Sequence, residues 1–459
     1  MAARGMRNAG EYADRQSPRL LRAGLVVLAL LLFIYPIPHT ISLRYLLLLA
    51  AAVVFGYLAI RRGSPALLLR PVLPLALFGA LLAWLFLGAV FISHDPARTL
   101  SEVSSQWLMA LLSLMAGVAA GSAFANDAAA GRRLLRVVFF VLLAHVVIVD
   151  AQALWLAVSS GSFAARAQGL TAGPDQASYL TNMLLALLLG ESLVRINGKP
   201  SGLGLGNNLL LVAWLIGVVS LYAEGTRNSI PVLVVLCGVI VLFYLVQGRN
   251  PKRWLYAGAA TALLAVLVVS FAVTTAGVQR GSDWRQVWDT LPVALDTERH
   301  KAWLDEEKYG LPKLPDGRSV ETSTYLRVAW IKEGLLLVAE HPLGTGFDRN
   351  AFGHGLRMKY GEGMGHSHSG VLDVAIGAGV PGLLLWFAFL VSLAWLGWRR
   401  FSRLHVFVGL ALLMVVLDYF TRMFLDSTVK DHMLQQFMLV AGLLAALSAA
   451  AARPEEHVR

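Results

Sequence analysis

Gly365-His366-Ser367-His368-Ser369-Gly370-Val371-Leu372 is the junction from which the rest of this chain can be read. Before it lies the one long polar interval, residues 277–369, and after it an apolar run begins at 371. Outward from the junction in both directions, the chain alternates apolar runs with short connections. Of its 459 residues, 57% are hydrophobic and 15% charged. A soluble domain of this length would not bury so much apolar surface. Runs of about 17–25 apolar residues suit helices crossing a hydrocarbon core of about 30 Å. A helix satisfies its own backbone hydrogen bonds there, whereas the strands of a barrel would be short and alternating.

The apolar runs fall at about 23–38, 45–60, 72–92, 103–123, 134–156, 177–194, 208–223, 229–247, 254–276, 371–395, 405–423 and 433–451. They predict an all-α polytopic membrane protein with about twelve transmembrane helices. The first run lacks a small-residue cleavage site and is followed at once by the second, so it is expected to stay as an anchor. Cys237 is the single cysteine, and no intramolecular disulfide can form.

The net charge of +11 suggests nucleic acid only until its distribution is counted. The N-terminus, the connections after even-numbered runs and the C-terminus together hold 21 Lys and Arg, and the short alternate connections hold 6. Basic excess marks the cytoplasmic side of a membrane protein. Both termini are therefore expected inside, and topology accounts for the charge without a nucleic-acid partner. The chain divides into residues 1–276 with nine spans, a large periplasmic loop at 277–369, and residues 370–459 with three more.

That loop holds 12 basic and 13 acidic residues, with Trp284, Trp288, Trp303 and Trp330. Such aromatics are foreign to a disordered linker, so an ordered layer at the membrane surface is expected. Residues 324–340 read as a helix, with apolar Leu326, Ala329, Trp330, Leu336 and Leu337 and a stop at Pro342–Gly344.

Four features gather on the predicted outer face. Arg166 opens the Gly- and Pro-bearing loop that ends in Gly173-Pro174-Asp175-Gln176. Glu224-Gly225-Thr226-Arg227-Asn228 joins two runs with almost no loop. Arg327 stands in the long interval, which closes with His366 and His368. Asp418, Arg422 and Asp426 mark the outer end of the eleventh run. An arginine at the hydrocarbon edge is costly unless it pairs, snorkels or faces water. The simpler reading of Arg227 is snorkelling or a pair with Glu224, and that of Arg422 is a pair four residues away with Asp418 or Asp426. Several guanidinium groups on one face also make a phosphate clamp, because the planar fork matches phosphate oxygens. His-x-His could ligate a metal, but no cysteine or close acidic cluster completes such a set. An imidazole framed by glycines beside a span can instead take a proton from a hydroxyl.

In this order the motifs resemble the O-antigen ligase and O-antigen polymerase superfamily of bacterial envelope enzymes. Arg166…Gly169…Pro174-Asp175 is similar to its arginine, glycine and Pro-Asn element, and Gly225-Thr226-Arg227 to its Ser-Arg-Gly-like element. Arg327 with His341-Pro342-Leu343-Gly344-Thr345-Gly346 resembles its arginine-helix-HPLxGxG element. His368-Ser369 with Gly379-Val380-Pro381-Gly382-Leu383 resembles its HN…GxxGLL element. Asp175 and Ser369 stand where asparagine is common, and the tryptophan after Arg327 comes one residue early.

The resemblance implies a fold like the C-type glycosyltransferases, in the bacterial inner membrane, with the site on the periplasmic side. It implies an undecaprenyl-diphosphate-linked glycan as donor and lipid A-core as acceptor, with no cofactor and no metal. On this reading Arg227 and Arg327, and less directly Arg166 and Arg422, hold the diphosphate. His368 or His366 serves the acceptor hydroxyl, with Asp175, Glu224, Asp418 and Asp426 in support, and the anomeric centre inverts. A polymerase or an O-linked protein oligosaccharyltransferase would use the same site. A lipid-linked glycan transporter would be expected to show internal repeats, and none is evident.

Overall fold

The computed structural model describes residues 19–246 and 284–450 apart from 63–67, 69, 162–165, 227, 364 and 405, with isolated residues between 258 and 269. Eleven of the twelve predicted runs coincide with helices. These are α1 (19–34), α2 (Ile41–Arg61), α3 (Val72–Phe91), α4 (Pro96–Phe124, with a π-turn at Val103–Leu108), α5 (Ala128–Ser160), α6 (Pro174–Ile196), α7 (Asn207–Glu224) and α8 (Ser229–Val246). The polar interval then supplies α9 (Trp284–Leu295), α10 (Glu306–Tyr309), α11 (Thr322–Glu340) and α12 (Ala351–Tyr360). Finally come α13 (Gly370–Leu404), α14 (Phe407–Met423) and α15 (Asp431–Ala450). The ninth predicted run, 254–276, lies outside the described residues, as do the basic residues before Arg19.

Eight of the described helices are both long and apolar enough to cross a membrane, against the twelve expected. The shortfall has a plain cause among the described helices: α1, α14 and the apolar stretch Ser229–Phe243 of α8 are each shorter than 18 residues. The described residues are all-helical, with eight candidate spans, as a polytopic membrane protein requires.

Two helices are central. The apolar windows of α6 and α15 are each 94% buried, while those of α2, α3 and α7 are about one-third buried or less and face outward. Close approach of α15 to α4 depends on glycine. A Cβ at Gly117 would lie 2.9 Å from the Leu443 nitrogen, and one at Gly442 would lie 3.1 Å from the Val118 nitrogen. Small residues let helices come this near when lipid offers no hydrophobic drive between them.

The connections separate into two ends, as the charge count expects. At one end, arginines cap helix C-termini. Arg62 donates to the Ala123 carbonyl at 3.3 Å, and Arg70 and Arg400 to that of Ala449 at 3.3 and 3.1 Å. Cations at the last carbonyls satisfy orphan acceptors and meet the negative end of the helix dipole. At the other end, the 166–175, 225–228 and 424–431 connections meet the polar layer. Ala167 N–H donates to Ala223 at 3.0 Å, Gly370 N–H to Asp426 at 2.9 Å, and Arg349 pairs with Glu102 at 3.0 Å.

The polar layer has its own core of Trp303, Tyr325, Ala329, Phe352 and Leu356, continued by Leu372 and Ile376 of α13. Two of the tryptophans that marked the interval as ordered sit in this core. Trp303 and Trp330 are buried, with the Trp330 indole donating to the Trp303 carbonyl at 2.9 Å. Trp288 is exposed.

The layer is locked to α13 at a break in that helix. Gly379 takes φ 71°, and Pro381 has no N–H to give. The carbonyls of Ile376, Gly377 and Ala378 therefore lose their partners within the helix. Thr345 N–H reaches Ile376 at 2.9 Å, Gly346 N–H reaches Gly377 at 3.1 Å, and the Trp84 indole reaches Ala378 at 2.6 Å. Val380 N–H in turn donates to Pro342 at 2.8 Å. An unsatisfied group in the bilayer costs several kcal/mol, and here each is met. The backbones come so close that a Cβ on Gly344 would lie 2.6 Å from the Gly379 nitrogen. The Pro342–Gly346 and Gly379–Gly382 motifs, 33 or more residues apart, are thus halves of one backbone joint.

Candidate active site

His366 and His368 stand where the polar layer turns into α13. The turn is built by the serines between and after them. The Ser367 hydroxyl donates to Asp373 at 2.7 Å and accepts from Ser369 N–H at 3.1 Å. Gly370 N–H is tied to the Asp426 carbonyl, so the 424–428 connection fixes the same corner. His368 itself takes φ 52°, a conformation that favours glycine and that persists only when neighbours impose it. Its ring stacks on Trp330 at 5.4 Å and 15°, and the two histidine rings lie 4.3 Å apart.

The rings are half-buried, and that burial is the largest influence on their basicity. It pushes His366 down to about 4, helped by the charges of Lys430 and His368 and opposed by Asp426. It also lowers His368, with Arg327 and Lys430 acting in the same direction and Asp426 and Asp175 against them. Both imidazoles are therefore neutral near pH 7, the state in which a ring nitrogen can accept a proton.

Arg327 comes from α11, whose start is capped by Glu321 accepting from Thr324 N–H at 2.6 Å. The guanidinium is half-buried and makes a long contact of 3.5 Å with the Asn228 carbonyl oxygen. The Asn228 amide points the other way, 3.4 Å from Asp175. Asn228 thus bridges the 224–228 turn, the N-terminus of α6 and α11. Arg166, exposed, lies beside the same turn, with its Cγ 3.5 Å from where a Gly225 Cβ would be. Its loop is pinned by the Gln152 side chain, which accepts from Gln168 and Gly169 N–H at 2.8 and 2.7 Å. Arg227 lies outside the described residues.

Arg422 pairs with Asp426, one of the two partners its sequence neighbourhood suggested. It is fully enclosed. Its guanidinium donates to the Asp175 carbonyl and, at 2.7 Å, to the Ser178 hydroxyl, with Asp426 at 3.8 Å. The charges of Asp418 and Glu224 act on the same group. Asp418 is buried, and Glu224 is buried with its carboxylate accepting from the Thr181 hydroxyl. As it stands Arg422 reaches no solvent-side phosphate. It fastens α14 to the first turn of α6 and so fixes where Asp175 faces the histidines.

The structure brings together His366, His368, Arg327, Asp175 and Asp426, with Arg166 at the side and Arg422, Asp418 and Glu224 behind. It adds Lys430 and Asn228. Lys430 was visible in the sequence as one of the six basic residues of the short connections, yet nothing there distinguished it from a solvated lysine. Asn228 was quoted with its turn, but its bridging role needs α6 and α11 in place. Among the described residues, no three His, Cys, Asp or Glu side chains are grouped as metal ligands.

A family model described as O-Antigen ligase matches residues 211–387. The match begins in α7, takes in the 224–228 turn, the whole polar layer, both histidines and the α13 joint, and ends before Lys430 and Arg422. No curated protein matches the chain.

Proposed function

We propose, from the match of residues 211–387 to the O-antigen ligase family model, that the chain transfers a glycan from undecaprenyl diphosphate to a sugar hydroxyl of lipid A-core. The observation that carries this reading is the convergence of two neutral imidazoles with Arg327 and Lys430 at one end of a membrane bundle. The imidazoles supply a proton acceptor, and the cations supply a seat for a diphosphate.

In the reaction, the acceptor oxygen attacks the anomeric carbon from the face opposite the diphosphate. Its proton passes to a ring nitrogen of His368, with His366 as the alternative acceptor. The bond from the anomeric carbon to the diphosphate oxygen breaks, and its electron pair leaves with undecaprenyl diphosphate. Arg327, Lys430 and Arg227 meet the charge that grows on the leaving oxygens, and Arg166 stands at the edge of the same field. Phosphate charge is balanced by side chains of the protein, so the step is read as metal-independent, and a single attack from the opposite face makes it inverting.

The site end faces the periplasm on this reading, because the arginine-capped end carries the basic excess of the cytoplasmic side. The donor chain lies among the outward-facing helices with its diphosphate at the boundary. The polar layer limits water, which competes with the acceptor for the donor. The polymerase alternative uses the same residues, with a lipid-linked glycan as acceptor.

The test is transfer by purified protein from prenyl-diphosphate glycan to lipid A-core, without nucleotide or added divalent ion. Glycan-extended lipid A-core supports the ligase. Lengthening of the donor on its own carrier selects the polymerase. Absence of both with folded protein overturns the reaction.

A further inference from the structure

Asp175 and Lys430 have sequence neighbours that face a second space. Gln176 and Asp431 line a cavity of about 300 Å³ closed by the α1–α2 connection, α2, α4, α15 and Arg349 of the polar layer. Two independent features mark it as more than a packing gap. First, three non-glycine residues among those described have left-handed backbones. One is His368, and the other two, His39 at φ 61° and Asp431 at φ 54°, both line this cavity. Such strain collects at functional sites when the surroundings hold it. Here the Gln106 side chain holds Asp431 by accepting its N–H at 2.6 Å. Second, Gln106, His432 and Gln435, polar side chains that are each more than nine-tenths buried, all contribute to the cavity lining. Polar side chains grouped on a buried cavity wall supply the directed donors and acceptors of a ligand site.

The wall chemistry narrows the class. Arg44 is fixed by donating to Thr40 at 2.9 Å and the Ile37 carbonyl at 2.6 Å, and Arg349 by its contacts with Glu102 and Asp431. Amides, a carboxylate, imidazoles and guanidinium groups thus alternate as donors and acceptors. Tyr45 and Pro38 give an apolar side. A free phosphate would meet the Asp431 carboxylate, and an acyl chain would leave the glutamine unpaired. A sugar ring offers hydroxyls that both donate and accept, and an apolar face.

We propose that this cavity is a saccharide subsite. It seats a sugar residue of one of the two glycolipids, beside the histidines, through the shared segments 175–176 and 430–431. The inference rests on the transfer reading for its setting, but binding can be measured without transfer.

The probes are two soluble oligosaccharides, one cleaved from lipid A-core and one from the donor, each without lipid or diphosphate. Saturation-transfer NMR on full-length protein in nanodiscs is expected to show one of them bound. Gln176→Ala and Gln435→Leu should each weaken that binding at least tenfold. The same variants should raise the KM for the matching glycolipid by a similar factor, with kcat held within about twofold. If Gln435→Leu fails to fold, the half-buried Gln176→Ala decides alone. The oligosaccharide that binds identifies the source. Binding by neither, or wild-type binding by the variants, overturns the subsite even if transfer occurs. Binding lost in the variants, in a protein that transfers nothing, upholds the subsite and overturns the reaction instead.

Discussion

Behind Asp175, Arg422 is fully enclosed among Asp418, Glu224 and Asp426, while in front of it His366, His368, Arg327 and Lys430 are each only partly covered. Each group holds an arginine among other ionisable side chains, and both meet the turn that carries Asp175. Their difference is access to water. Removing water makes a charge depend on the partners beside it and raises the cost of disturbing any of them. Partial cover lowers the histidines enough to keep them neutral and still leaves them reachable. The enclosed group is therefore suited to holding geometry, and the open group to meeting substrate.

The comparison breaks most easily at Arg422. Arg422→Ala leaves Asp418 and Glu224 buried without their cation, and should lower stability by about 3–5 kcal/mol in a thermal melt. A variant that melts like wild type but has lost transfer would move Arg422 to the open group. Next comes His368→Ala, expected to fold normally and to lose about 10²–10⁴-fold in kcat, the range of a positioned proton acceptor. If His366→Ala loses activity and His368→Ala retains it, the base is His366. Arg327→Ala should cost about 10²–10³-fold in kcat at unchanged melting temperature, as expected for one lost donor to developing charge. Full transfer by that variant would remove Arg327 from the diphosphate seat.

The smallest effect is in pH. With His368 lowered, transfer should persist below pH 6.5 and fall only as the ring protonates at a lower pH. A limb at 6.5 or above would contradict the buried imidazole. His366 gives a matching stability test. Its folded value of about 4 is below the ordinary 6.5, so the unfolded chain binds the proton first as pH falls. His366 thus contributes stability above about pH 6.5 that is lost as pH drops toward 4, and His366→Ala should flatten that slope.

Much of this was legible in the sequence because it depends on local or additive properties. Apolar run length placed the helices, since a bilayer imposes one length scale on every span. The basic count divided the connections into two sets because charge adds along the chain. The 324–340 helix was readable from apolar spacing and a Pro–Gly stop, and forms as Thr322–Glu340. The hydrogen bond from the Trp330 indole to the Trp303 carbonyl was not legible, because it joins residues 27 apart that only the folded layer brings together.

What the sequence determined by itself is the all-helical membrane architecture, the two-ended charge plan and the residues from which a site could be drawn. Each of these is set by chain-local hydropathy and by charge, which add along the chain. Only the tertiary structure decided that Arg422 is sealed while Arg327 is open, that Lys430 and Asn228 join the site, and that Pro342–Gly346 closes the break at Gly379. Those outcomes depend on which distant backbones meet and on how much water they exclude, and neither quantity is a property of any single stretch of sequence.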